Sequence, residues 1–389
     1  MPVKRIGMGL VGAGFIGPHH LEAVRRLGFV DVVAIADFND ELARQKAEAL
    51  GVPKSYGSYQ ALLADPDIHV VHNATPNFMH HPVSMAAIAA GKHIVSDKPL
   101  AMTSAQAREL LDAATAKGVV HAVTFNYRGN PLVQQARVMI AKGEIGPPRF
   151  IHGQYLQDWL LYDTDYSWRL EPDKGGESSA MGDIGSHWCD LAQHVSGLRI
   201  THVLSDLTTV IPVRKKPSGA RIAFAKGSDD DQYEPIDIKV EDLCSVLVRF
   251  ENGAKGAFTV GQICAGHKND LVLEVNGGAA SLRWHQEQQN ELWIGHRSQG
   301  NVILQKDPSL MDPEVAGLAK LPGGHQEAWP DAFRNILRAV YEHIAEGKAM
   351  KDRVPMMSSF EDGWRANAII DAVLASHRNG NVWTEVASL

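Results

Sequence analysis

With 389 residues, the chain is too long for one ordinary core, and two domains are the natural expectation. Its 44% apolar and 21% charged residues describe a globular protein, and a formal charge of −7 excludes bulk attraction to nucleic acid or an anionic membrane. Cys189, Cys244 and Cys264 are widely spread, odd in number and without a CxxC pair, which argues against a disulfide framework or structural zinc and for a reducing cytoplasm.

Residues 1–17 begin with basic residues and an apolar run, as a signal peptide does, but Gly7, Gly9, Gly12, Gly14 and Gly17 interrupt that run. No stretch reaches the ~20 apolar residues that span a bilayer. Residues 5–11 predict a buried strand and 15–27 the helix after it, with Pro18 in the first turn where its missing N–H costs nothing. A second strand at 30–36 and a helix at 39–50 follow, then a strand at 69–74, a helix at 80–90 and a fourth strand at 93–96. Thr103 and Gln106 suit a capping box for a helix over 104–117, and 119–125 predicts a fifth strand. Strands alternating with helices over short loops specify a doubly wound parallel sheet, an α/β fold, for residues 1–127.

Beyond residue 127 the pattern changes. A helix at 131–141 precedes period-two strands at 149–155, 241–250, 254–262, 271–276 and 280–284, joined by glycine turns. Successive strands without intervening helices predict an α+β domain over 128–389 with a large, mostly antiparallel open sheet. Its outer face is expected to pack on a partner subunit in a homodimer or homotetramer. Residues 212–235 carry a basic segment (VRKKPSG) and then an acidic one (GSDDDQ), expected as a solvated, mobile excursion or, as a minor alternative, a lid. Residues 326–346 and 359–376 predict two amphipathic closing helices.

Residues 12–17 spell GxGxxG directly after a strand and at the start of a helix. Gly12 permits the tight turn, Gly14 lets a pyrophosphate approach the backbone, and Gly17 lets helix and strand pack closely, with Phe15 and Ile16 between. The free N–H groups of the helix start favour the pyrophosphate charge. Asp37 ends the second strand ~20 residues on, where a carboxylate holds ribose hydroxyls. It repels a 2′-phosphate, and Phe38-Asn39 offers no arginine to counter it, so NAD is expected over NADP. Thr75, Asn77 and His80 follow the third strand, and Asp97-Lys98-Pro99 follows the fourth, all at the carboxyl edge where such sheets bind ligands. Lys98 there can donate to a substrate oxygen, or it is a surface lysine on a turn. Asp183 and His187, spaced i, i+4, share one face of a helix. A histidine can take a hydroxyl proton near neutral pH beside an orienting carboxylate, or the pair is an ordinary capped helix with a half-exposed histidine. The remaining histidines lack the spacing of a zinc pattern, and no metal is expected.

In their order, the glycine motif, the DKP tripeptide and the DIGSH segment resemble the GFO/IDH/MocA family of dehydrogenases, in which a glycine motif, an EKP tripeptide and a DxGxH-type segment recur. Asp97 is a shorter carboxylate than the family's glutamate. The resemblance implies a catalytic Lys98, Asp183 and His187, with either Lys98 or His187 taking the proton. It implies that Asn126 lies beside the nicotinamide with Arg128 in the same NxR segment. It further implies a sugar or cyclitol substrate, held by Arg128 and by His267 and His325, whose segments look like ones that line the site in relatives acting on pyranosides. Trp159, Trp168 and Arg169 cluster aromatic rings with hydrogen-bonding groups, which suits a pyranose, or the tryptophans are core. Two alternatives stay open: an NAD-retaining, non-redox glycosidase or epimerase-like enzyme, and a catalytically silent NAD-binding regulator.

Overall fold

A computed structural model describes residues 5–219 and 232–389. The chain forms two compact units, Met1–Asn126 with Trp329–Trp364, and Tyr127–Ala328 with Arg365–Leu389. The chain thus leaves the first unit after Asn126 and enters it again over Trp329–Trp364.

In the first unit, β1 (Ile6–Val11), β2 (Val30–Ala36), β3 (Lys54–Tyr56), β4 (Val70–Asn73), β5 (His93–Ser96) and β6 (His121–Val123) form one sheet of order β3-β2-β1-β4-β5-β6. Every pairing in it is parallel. Five strands were expected. β3, three half-buried residues paired only to β2, carries no apolar run to betray it. The order reverses at β1, which lies between β2 and β4, so the crevice at their carboxyl ends is a topological switch point. The intervening helices are α1 (Gly17–Arg25), α2 (Asp40–Leu50), α3 (Tyr59–Leu63), α4 (Asn77–Ala89) and α5 (Ser104–Lys117). Asn39 caps α2 by accepting from Leu42 N at 2.8 Å. Thr103 Oγ1 accepts from Gln106 N at 3.2 Å, while Gln106 Oε1 reaches back to Met102 N rather than to Thr103, so the capping box is shifted by one residue.

The returning helix Trp329–Ala345 covers α1: His20 meets Phe333 ring to ring at 4.9 Å, and Arg26 pairs with Asp331 at 2.5 Å. Downstream, Ser358 Oγ donates to Val123 O at 2.5 Å, and His121 Nδ1 accepts from Phe360 N at 3.1 Å.

The second unit is built on a nine-stranded sheet. In chain order its strands and those of a separate hairpin are β7 (Phe150–Leu156), β8 (Ile200–Thr208), β9 (Val213–Pro217), β10 (Tyr233–Asp237), β11 (Leu243–Phe250), β12 (Lys255–Gly261), β13 (Asp270–Asn276), β14 (Ser281–His285), β15 (Glu291–Gly295), β16 (Val302–Gln305) and β17 (Thr384–Glu385). The large sheet runs β16-β15-β14-β13-β7-β12-β11-β8-β17. Only β7 and β12 pair in parallel, so the sheet is mixed and mostly antiparallel. Helices Pro131–Ala141 and Ser186–Ser196 cover one face: Val133, Ala136, Leu191 and Val195 meet Leu273, Val275, Leu282 and Trp284 around one small apolar cavity. Trp188 stacks on Phe258 at 4.3 Å and donates its indole N–H to Val272 O at 3.1 Å. A Cβ on Gly153 would lie 1.9 Å from that same carbonyl oxygen, so the close approach demands glycine.

The 212–235 excursion needs correction in its basic half. β9 and β10 pair antiparallel, and Arg214 is wholly buried, with its guanidinium 2.7 Å from Asp242. Leu160, Leu170, Ile238 and Val240 form a small core beside this hairpin, with Trp159 and Tyr166 packed against it. Residues 220–231, which include most of the acidic segment, lie outside the described residues.

Candidate active site

At the first unit's carboxyl edge, Gly12 has φ +86°, and a Cβ there would stand 2.8 Å from Ala74 O. On Gly17 it would stand 2.6 Å from Gly12 O, whereas on Gly14 it would meet nothing within 4 Å. Gly17 thus closes helix on strand, and Gly14 opens the backbone to a ligand. Asp37 belongs to this loop: its carboxylate accepts from Ala13 N at 3.1 Å and from Phe38 N at 2.8 Å. Phe38 is 88% exposed, and Asn39 spends its side chain on the α2 cap.

Thr75, Asp97 and Asn126 follow β4, β5 and β6 along the same edge. Thr75 Oγ1 donates to Asn73 Oδ1 at 2.7 Å, and Thr124 Oγ1 donates to Asp97. Asn126 is buried, and its Nδ2 has no hydrogen-bond partner in the protein, an orphan suited to an acceptor on a bound dinucleotide. The open backbone at Gly14, the Asp37 carboxylate and this amide fit a dinucleotide lying across the switch point. Asn77 opens α4. His80 has a different part. Its ring nitrogens lie 2.6 Å from Pro99 O and 2.8 Å from Thr75 O, so it ties together the loops after β4 and β5 and steadies the DKP segment carrying Lys98. Burial lowers its pKa, with Asp97 opposing. Because β3 escaped the sequence, Lys98 follows the fifth strand rather than the fourth.

In the second unit, residues Met181–Gly185 form a π turn leading into the helix Ser186–Ser196, where a regular α-helix was expected. Such turns recur at functional sites. Its start is held by the Glu241 carboxylate, which accepts from Ser178 Oγ at 2.7 Å, Ser179 N at 3.0 Å and Met181 N at 2.8 Å; burial raises the pKa of Glu241 against these bonds. Asp183 is gripped from two sides. Arg169 Nε lies 3.2 Å from Oδ1, and Gln262 Nε2 donates to Oδ2 at 2.8 Å. The His187 ring meets the edge of Tyr127 at 5.0 Å and lies 6.2 Å from Tyr155.

A network of polar side chains adjoins His187. Tyr127 and Tyr155 share a hydroxyl hydrogen bond at 2.7 Å; Tyr155 donates to Asn269 Oδ1 at 2.5 Å, and Asn269 Nδ2 donates back to Tyr127 at 3.0 Å. Burial and the neighbouring Tyr127 push the Tyr155 phenol far above its ordinary range, so it stays protonated. Gln157 donates to Asn269 at 3.1 Å and accepts from the Trp159 indole at 2.9 Å. Arg169 lies 4.5 Å over the Trp168 ring. Arg169 thus joins the Trp168 ring to the Asp183 carboxylate, while Trp159 is tied to Gln157. His267 pairs with Asp270 at 2.5 Å, one residue from Asn269. His325 stands on another loop, whose carbonyls at Leu321 and His325 are held by the buried Lys306 at 3.0 and 2.8 Å. Arg128 is 4% exposed, with Nε 2.8 Å from Asp190, and this buried ion pair makes it a support for the helix carrying His187. Tyr155, Gln157 and Gln262, in or just beyond β7 and β12, show no motif that would mark them in the sequence, whereas Asn269, just before β13, shares the segment of His267. Among the described residues no group of three or more His, Cys, Asp or Glu could hold a metal ion.

Fold and side-chain chemistry together define a class, an oxidoreductase built on an NAD-binding Rossmann domain followed by a sheet-based second domain. Residues 6–125 match the family model described as oxidoreductase family, NAD-binding Rossmann fold, and residues 133–283 match the GFO/IDH/MocA C-terminal domain. Levoglucosan dehydrogenase of Pseudarthrobacter phenanthrenivorans is 32% identical over 100% of both chains. A structure of a levoglucosan dehydrogenase in complex with NADH and levoglucosan superposes with TM-score 0.87 at 30% identity, covering 99% of this chain and 100% of that one. An inositol dehydrogenase homolog from Azotobacter vinelandii, complexed with NADH and myo-inositol, gives TM-score 0.86 at 26% identity over 98% of each chain. The chain belongs to the GFO/IDH/MocA family of oxidoreductases.

Proposed function

We propose that this protein is an NAD-dependent dehydrogenase that oxidises a secondary hydroxyl of a pyranose, pyranoside or cyclitol. The observation that carries the reading is the Asp183 carboxylate, oriented by Arg169 and Gln262 on the same short helical segment as His187 and beside a wall of tyrosine, amide and indole groups. End-to-end similarity to a levoglucosan dehydrogenase supports the substrate class.

The Gly12–Gly17 loop, Asp37 and Asn126 would hold NAD, which supplies the hydride acceptor when bound. His187 takes the hydroxyl proton, Lys98 stabilises the developing alkoxide with its charge, and Asp183 orients substrate and base. Asp37, with no cation at Phe38 or Asn39, favours NAD over NADP. We also propose assembly as a homodimer or homotetramer through the open face of the large sheet, where Leu247 of β11 is 47% exposed, and a cytoplasmic location consistent with three free cysteines. Among the described residues no helix is long and apolar enough to cross a membrane.

The test is a panel of pyranosides, anhydrosugars and inositols with NAD and NADP, followed at 340 nm. NADH should accumulate with at least one of them. Lys98→Ala should cut kcat about 100-fold or more while leaving NAD affinity unchanged. Glycoside cleavage without net NADH would assign the non-redox alternative, and an unimpaired Lys98→Ala would remove the mechanism.

A further inference from the structure

We propose that Gln262 is the positioning residue that holds Asp183 ionised and fixed in one orientation, an inference that rests on the catalytic reading of Asp183. Gln262 is fully buried just beyond β12. Its backbone is clamped on both sides, its N–H donating to Asp242 O at 3.1 Å and its carbonyl accepting from Leu160 N at 3.0 Å. Its side chain donates to Asp183 Oδ2 at 2.8 Å, while its own Oε1 has no hydrogen-bond partner in the protein.

That asymmetry is informative. A buried amide kept only for packing would be replaced by leucine or methionine at no loss, or would satisfy both ends. Here the side chain forgoes its acceptor bond and keeps the donor bond to a carboxylate. Turning the amide over would set oxygen against oxygen, so only one orientation suits an ionised Asp183.

The groups around Asp183 divide the work. Arg169 on the Trp168–Leu170 turn supplies positive charge at Oδ1. His187 follows on the same helical segment, and the Glu241 carboxylate lies under the start of that segment. Tyr155 of β7 is near enough for Asp183 to raise its pKa further. Gln262 adds no charge. It contributes a directed N–H that favours the carboxylate form and stops the second oxygen from rotating.

Three variants of the full chain test this with the substrate found by the panel. Gln262→Leu preserves size and removes the donor: kcat should fall about tenfold or more, with KM, NADH affinity and Tm near wild type. Gln262→Glu places a second carboxyl against Asp183, and the acid limb of the kcat–pH profile should move up by about one pH unit or more. Asp183→Asn should abolish turnover. If Asp183→Asn is inactive while the Gln262→Glu profile coincides with wild type, the inference falls and the catalytic reading of Asp183 stands. If Asp183→Asn turns over normally, both fall. A loss confined to Tm in Gln262→Leu, with kcat intact, reduces the residue to packing and overturns the proposal.

Discussion

Arg214→Met asks whether the β9–β10 hairpin supports the substrate wall. Arg214 and Asp242 are 0% and 1% exposed, with Nη2 2.7 Å from Oδ1. The second guanidinium nitrogen donates to Tyr162 O at 2.8 Å and Asp165 O at 3.2 Å, inside the loop between Trp159 and Trp168. Removing the arginine strands a buried carboxylate that keeps only the Val210 and Ile211 N–H groups, and leaves two loop carbonyls without these donors. Breaking a buried pair from one side costs about 3–5 kcal/mol. For a unit of this size that corresponds to a fall in Tm of roughly 6–20 °C. The freed loop should also raise the substrate KM severalfold while the NADH dissociation constant stays unchanged. Arg214→Lys keeps the charge but not the fork, and should fall between. Calorimetry of the full chain, with steady-state kinetics below the transition, reads both effects. A Tm within about 2 °C of wild type for Arg214→Met would refute the reasoning, because a pair this buried cannot be lost so cheaply.

Asp37→Ala should narrow the preference for NAD over NADP by about tenfold or more, measured as the ratio of kcat/KM for the two cofactors. Gly14→Ala places a methyl in open space, so Tm should hold while NADH affinity falls about tenfold or more by fluorescence titration. Gly17→Ala meets Gly12 O at 2.6 Å and should instead lower stability by about 1–3 kcal/mol. His121 is buried and its pKa is pushed down to about 4. The unfolded histidine, with a pKa near 6.5, therefore binds a proton between those values when the folded one does not. The stability this residue contributes is full above pH 6.5 and is lost as pH falls towards 4, by about 3 kcal/mol. Protonation also removes the lone pair that accepts from Phe360 N. His121→Gln should flatten that slope in Tm measured against pH.

The parallel sheet is legible because most of its strands are apolar runs separated by helices, two of which Asn39 and Thr103 cap with their side chains. β3 and β16 were not: both are short edge strands that bury little on either face. The hairpin β9–β10 was hidden for another reason. VRKKP reads as a solvated basic stretch, and only the burial of Asp242 opposite turns Arg214 from a surface charge into a core residue. The return of Trp329–Ala345 to the first unit was invisible too, since an amphipathic helix declares that it has an apolar face and not which domain lies beneath it.

The candidate site divides along the same line. Gly12, Gly14, Gly17, Asp37 and Lys98 sit at fixed offsets from strand ends, where backbone geometry sets what a residue can do, so spacing in the sequence translates directly into position. Gln157, Gln262 and Asn269 flank the ends of β7, β12 and β13 and are 105 and 7 residues apart in sequence order. Their chemistry arises from pairing across strands, which local pattern does not encode. Arg128 is a further case: its NxR segment gives its place in the chain, but not its buried partner Asp190 on the helix that carries His187. What surrounds Asp183 and His187 is thus set by long-range partners, which a fold or a short motif does not specify.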